Sequence, residues 1–119
     1  MAETTAPVET LRDSGSALGH VTGKITVATD AAANNVSIGF VPSAILILNY
    51  TNPTWHLWIK GMTAAYVATI PATGGALAIA TSGGITAYDG SASVAPGFTY
   101  GTDATLNTAG DVLYFIAFR

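Results

Sequence analysis

The sequence has no cysteine and very little charge. Only 9% of its 119 residues are Asp, Glu, Lys or Arg, against about 25% in an ordinary soluble domain. Without cysteine there is no disulfide framework, no thiolate metal site and no thiol nucleophile. The four basic residues, Arg12, Lys24, Lys60 and Arg119, are scattered and the net charge is −3. No phosphate-tracking stripe can be built from them, which excludes nucleic acid as an expected partner. The longest apolar stretches, such as "SAILILNY" and "VLYFIAF", fall far short of the ~20 residues that cross a bilayer as a helix. The opening "MAETTAPVETLRDSGS" lacks the basic start and apolar centre of a secretory leader. No membrane partner is therefore expected.

What is present is apolar, small and β-prone. Hydrophobic residues make up 50% of the chain, so the composition is not that of a disordered segment. The length suits one domain around one core. Between Ala31 and Tyr88 the single charged residue is Lys60. A free monomer normally relies on charge to stay apart from its neighbours. A surface this neutral points to other chains covering much of it, the alternative being a monomer coated in Thr, Ser and Asn.

Residues 1–20 read as an extended arm. They hold Glu3, Glu9, Arg12 and Asp13, four of the eleven charged residues, with Val8, Leu11 and Leu18 as the sizeable apolar anchors. From Val21 to the end the pattern is β. "VTGKITVAT" alternates, "VSIGF" is a short strand, and Pro42 interrupts the ladder because it has no N–H to donate. "SAILILNY" carries consecutive apolar residues, as a strand covered on both faces does. "TNPT" turns the chain into "WHLWIKG", which puts Trp55, Leu57 and Ile59 on one face and His56, Trp58 and Lys60 on the other. "AAYVATI" is a further strand. "ATGGALAIATSGG" reads as a loop with a short strand at 77–80, because paired glycines bracket it. Asp89-Gly90 is a tight-turn dipeptide. "GFTYG" is a short strand and "DVLYFIAF" a central one, with Asn107 and Gly110 at positions suited to positive φ. Seven or eight short strands with turn residues between them predict an all-β fold. The expected form is a single antiparallel β-sandwich or jelly-roll-like domain over residues 21–119.

The chemistry-bearing residues do not assemble into a site. His20 and His56 have no second ligand at metal spacing, and His56 is expected as an exposed or interface side chain on the polar face of its strand. Serines are present without a base and an orienting acid beside them. Asp89, Asp103 and Asp111 could be paired acids or calcium ligands. Asp103 and Asn107 in "GTDATLN" are better explained as turn residues bonding their own backbone. "TGGALAIATSGG" lacks the Gly-Lys-Ser/Thr end of a phosphate loop. No catalytic residue, metal or cofactor is expected. The residues singled out for contact with other molecules are Val8, Leu11 and Leu18 in the arm and Tyr50, Trp55 and Trp58 in the domain. Trp55, Trp58, Tyr50 and Tyr66 could form an aromatic platform. One tryptophan belongs in the core, and the other, on the opposite strand face, is available for contact.

Two segments together resemble the structural proteins of tailed-bacteriophage virions. "IGFVPSAILILN" is similar to a Gly-Phe-x-Pro pattern followed by an apolar strand, carried here by Gly39, Phe40 and Pro42. "GFTYGTDATLNTAGDVLYFIAF" resembles the C-terminal pattern of the same group through Gly97, Phe98, Gly101, Asp103, Asn107, Gly110, Tyr114, Ala117 and Phe118. The resemblance covers roughly residues 36–119 and implies a β-sandwich head or tail component without enzymatic activity. The leading expectation is a capsid decoration, or cement, protein on the outer capsid surface. It would bind the major capsid protein through the arm and its apolar surface, and associate with itself, a trimer being preferred. The alternative is a tail or fibre component that binds a host-surface glycan through Trp55 or Trp58.

Overall fold

The computed structural model describes residues 8–12, 19–28, 32–71 and 75–119. Nine strands run through them in chain order: β1 (Val8–Arg12), β2 (His20–Thr26), β3 (Asn34–Ser37), β4 (Ala44–Asn49), β5 (Thr54–Ile59), β6 (Tyr66–Ile70), β7 (Ala78–Tyr88), β8 (Gly97–Tyr100) and β9 (Val112–Phe118). No helix occurs among the described residues. All neighbouring strands pair antiparallel, in one sheet of order β1-β2-β9-β4-β5-β6-β7-β8-β3. The all-β, antiparallel expectation holds. The strands belong to one continuous sheet, however, and not to the two hydrogen-bonded sheets of a sandwich.

The sheet curls on itself into a half-barrel. Phe98 of β8 meets Phe115 of β9 edge-to-face, with ring centroids 5.4 Å apart, although five steps of the ladder separate the two strands. Side chains alternate across each strand. One face of β2, β4, β5, β6 and β9 therefore points into the curl with Val21, Ile25, Ile45, Ile47, Trp58, Val67, Leu113, Phe115 and Ala117. Ile85, Phe98 and Tyr100 join them from β7 and β8, and Leu106 caps the core from a loop. The run Val112–Phe118 lies inside the sheet, between β2 and β4, as its apolar character predicts. Arg119 at its end sets its guanidinium 5.5 Å from the Phe40 ring centre.

Residues 8–12, within the expected arm, form β1 at one edge of the sheet, paired with β2. Val8 and Leu11 belong to this strand; Leu18 lies outside the described residues.

The stretch around residues 77–84 differs most from expectation. In place of a loop with a short strand, it forms most of the 11-residue β7, which runs through Gly83 and Gly84. The register with β6 shifts where Tyr66 faces Ile85 and Val67 faces Ala80, the mark of a bulge. A Cβ on Gly84 would stand 2.7 Å from the Ala65 carbonyl oxygen, and one on Gly83 2.7 Å from the Asp103 amide nitrogen. The glycines therefore admit neighbouring backbone at a bulge and do not end the strand. Asn107 does not use positive φ, whereas Gly110 does. The Asn107 amide instead ties loops together by donating to the carbonyls of Ala32 and Gly101.

Candidate interaction face

The β4–β5 hairpin carries both a buried polar cluster, on its inner face, and an apolar outer face. Its turn is set by Asn49, whose Oδ1 accepts the amides of Thr51 and Asn52. The Asn49 Nδ2 donates to Asp111 Oδ2 at 2.9 Å and to the Thr105 carbonyl at 3.0 Å. Asn52 Nδ2 also reaches Asp111 Oδ2, at 3.2 Å. Asp111 is buried and locks the hairpin turn to the start of β9. The Asp103 carboxylate accepts the Thr105 amide and hydroxyl, closing the turn expected for "GTDATLN".

His56 corrects the expectation of an exposed side chain. It is fully buried on the inner face of β5. Its Nδ1 lies 3.2 Å from Thr69 Oγ1, and its Nε2 lies 3.0 Å from Thr54 Oγ1 and 3.1 Å from the Thr105 carbonyl. A carbonyl only accepts, so Nε2 carries the proton and Nδ1 accepts from Thr69. Burial lowers the His56 pKa below its ordinary 6.5, against opposing pulls from the Thr105 hydrogen bond and the Asp103 charge. This is a neutral imidazole serving as a structural bracket, with both nitrogens used by the fold. Among the described residues, no three of His, Asp and Glu gather as metal ligands would.

The unfolded chain takes up a proton at this histidine near pH 6.5, while the folded chain does so only at lower pH. Unfolding is therefore favoured as pH falls through that window, and stability rises with pH across it. The slope should reach at most about 1.4 kcal/mol per pH unit. Urea unfolding at a series of pH values, compared with His56→Gln, is expected to show this slope in the wild type and its loss in the variant.

The outer face of the same strands is unusually apolar. Trp55, Leu57 and Ile59 of β5 are exposed, as are Ile70 of β6, Leu77 and Ile79 at β7, and Tyr114 and Phe118 of β9. The ladder aligns them in rows. One row runs Tyr114, Leu48, Trp55, Ile70; the next runs Ile116, Leu46, Leu57, Ala68, Ile79; the third runs Phe118, Ala44, Ile59. No charged residue stands in any of these rows. Lys24 flanks the first, opposite Tyr114 on β2, and Lys60 follows the end of β5. Tyr50 extends the face beyond the hairpin turn, 66% exposed and edge-to-face with Tyr114 at 5.6 Å.

Two shallow apolar depressions flank Trp55. One, of about 320 Å³, is bounded by Leu48, Tyr114 and Ile116; the other, of about 370 Å³, by Leu57, Ala68, Ile70 and Leu77. Trp55 and Leu46 line both.

No protein family, curated protein or solved structure matches this chain.

Of the residues singled out for contact, Trp55 and Tyr50 lie on this face. Trp58, only 4% exposed, is withdrawn into the core and cannot serve as a surface contact. Leu57, Ile59, Ile70, Leu77, Ile79, Tyr114 and Phe118 were not singled out. Their signal was the same alternation that picked out Trp55, repeated on strands that the ladder makes adjacent.

Proposed function

We propose that the chain is a capsid decoration protein of a tailed phage, binding the outside of the major capsid lattice and acting mechanically, without catalysis. The observation that carries this reading is the charge-free apolar face of the sheet, an area that a lone soluble domain rarely leaves to water. In this reading the curled sheet of residues 21–119 acts as the body. Residues 1–20 act as an arm along the capsid, with Val8, Leu11 and Leu18 as anchors. Each copy bridges neighbouring capsomers, and apolar burial at ~25 cal/mol per Å² opposes their separation. Many copies acting together give the shell strength that one contact lacks. The use of both His56 nitrogens inside the fold, and the turn role of Asp103, support a protein without a reactive centre.

Glycan binding by a tail or fibre component would use exposed Trp55 as the stacking ring. Its row neighbours Leu48 and Ile70 offer no hydrogen bonds to sugar hydroxyls, which favours the decoration reading. Deleting residues 2–18 removes β1 and leaves β2 as the edge strand. The expected result is a chain that keeps its β circular-dichroism spectrum and no longer decorates capsids. Undiminished capsid occupancy would remove the arm from the mechanism, and selective retention of glycans on an array would favour the alternative.

A further inference from the structure

We propose that the outer face of β9, β4, β5, β6 and β7 is the contact between two copies of this chain, related by a two-fold axis close to Leu57. This deepens the decoration reading: the sheet face is assigned to self-association and residues 1–20 are left for the capsid.

Size is the first argument. Five strands at ~4.8 Å spacing and six residues at ~3.3 Å rise cover roughly 24 by 20 Å, or about 480 Å² per copy. Two such faces bring together about 960 Å², just under the ~1,000 Å² that a specific interface clears, and projecting side chains such as Trp55 add to this flat-sheet area. Sheets stack face to face in this way inside β-sandwiches, with side chains interdigitating.

Charge is the second argument. A two-fold contact sets the same patch against itself, so any charge near its centre would meet its own like. The rows contain none, and Lys24 and Lys60 sit at the margin. A foreign partner would be selected by charged or hydrogen-bonding groups, and these rows present hydrocarbon and aromatic edges.

Relief is the third. Trp55 stands as a ridge between two depressions of about 320 and 370 Å³. Leu57 is the middle of the five-residue row from Ile116 to Ile79. A two-fold near Leu57, lying between the sheets and oblique to the strands, lays the Trp55 ridge of one copy toward the Leu57–Ala68–Ile70–Leu77 depression of the other, the arrangement of buried aromatic anchors in tight interfaces.

The test is sedimentation of the full chain at micromolar concentration. The wild type is expected to be dimeric. Leu57→Lys should weaken the dimer roughly thirtyfold or more while keeping the wild-type circular dichroism, because Leu57 is solvent-facing in the single chain. Val41→Lys, at an exposed residue outside the rows, should leave the dimer intact. Leu57→Lys and Leu57→Glu, each monomeric alone, should form a mixed dimer when combined, since the axis sets residue 57 opposite itself. A monomeric or trimeric wild type overturns the proposal, as does a dimer insensitive to Leu57→Lys. A Lys/Glu mixture that stays monomeric overturns the position of the axis. Capsid occupancy is scored separately: a dimer that ignores capsids defeats the decoration reading alone, and a monomer that decorates them defeats this one alone.

Discussion

Gly97→Ala is expected to destabilise the protein by about 3 kcal/mol or more, at or above the upper end for overpacking a closed site. Gly97 pairs with Ser37 in the β3–β8 ladder, beside Val36 opposite Phe98. A Cβ there would overlap the Val36 carbonyl and crowd the Ile38 amide. Both are backbone, so relief requires the β3–β8 pairing to open. Among the described residues β3 has no second strand to hold it, being the last in the sheet order. Against a total stability of ~5–15 kcal/mol this loss should be plain in urea unfolding. Gly110→Ala provides the contrast. Gly110 has φ +84° but no atom of the described residues within 4 Å of the added carbon, so the expected loss is only ~1–2 kcal/mol of backbone strain.

Phe98→Ala is expected to cost about 3–5 kcal/mol, the range for deleting a buried aromatic ring. Phe98 is fully buried and its ring meets Phe115 across the curl. The contact joins strands that hydrogen bonds do not join directly, so its loss should loosen the curl before it breaks any ladder. Hydrogen exchange should record this as faster exchange in β3 and β8 than in β4 and β9. Uniform acceleration across all strands would instead mean that the ring contributes to overall stability and not to curvature.

The β4–β5 hairpin was legible because the signals agreed: an apolar run, a turn centred on Pro53, and strict alternation afterwards. β9 was legible for the same reason, its seven apolar or aromatic residues leaving no polar edge for solvent. β7 was not, because Gly83 and Gly84 look like a break until the Ala65 and Asp103 backbones are seen beside them. Those approaches come from residues distant in sequence or across a ladder. His56 was misplaced for a related reason. Beside Trp55 and Leu57 it looks like the polar member of an amphipathic strand. Its partners, Thr69 and the Thr105 carbonyl, lie on other elements, and only the fold brings them within reach. The same holds for Trp58, whose face could be chosen only once His56 was known to point inward. The single curled sheet was beyond local pattern altogether, since strand count and alternation are the same whether the ladder is continuous or divided in two.

The apolar rows depend on pairing and not on any one strand. Leu46, Leu48 and Trp55 are unremarkable singly. Registered beside Tyr114, Ile116 and Ile70, they become a face with no charge to keep another such face away. That step links the weakly charged sequence to the self-association proposed for this face.

Oxidative footprinting of the full chain at assembling concentration and at high dilution tests this account most directly. Trp55, Tyr114 and Leu57 are expected to be protected in the concentrated sample and labelled on dilution, while Val41 is labelled in both. Equal labelling of Trp55, Tyr114 and Leu57 in the two samples, at the level of Val41, would show the face bare in water and contradict it.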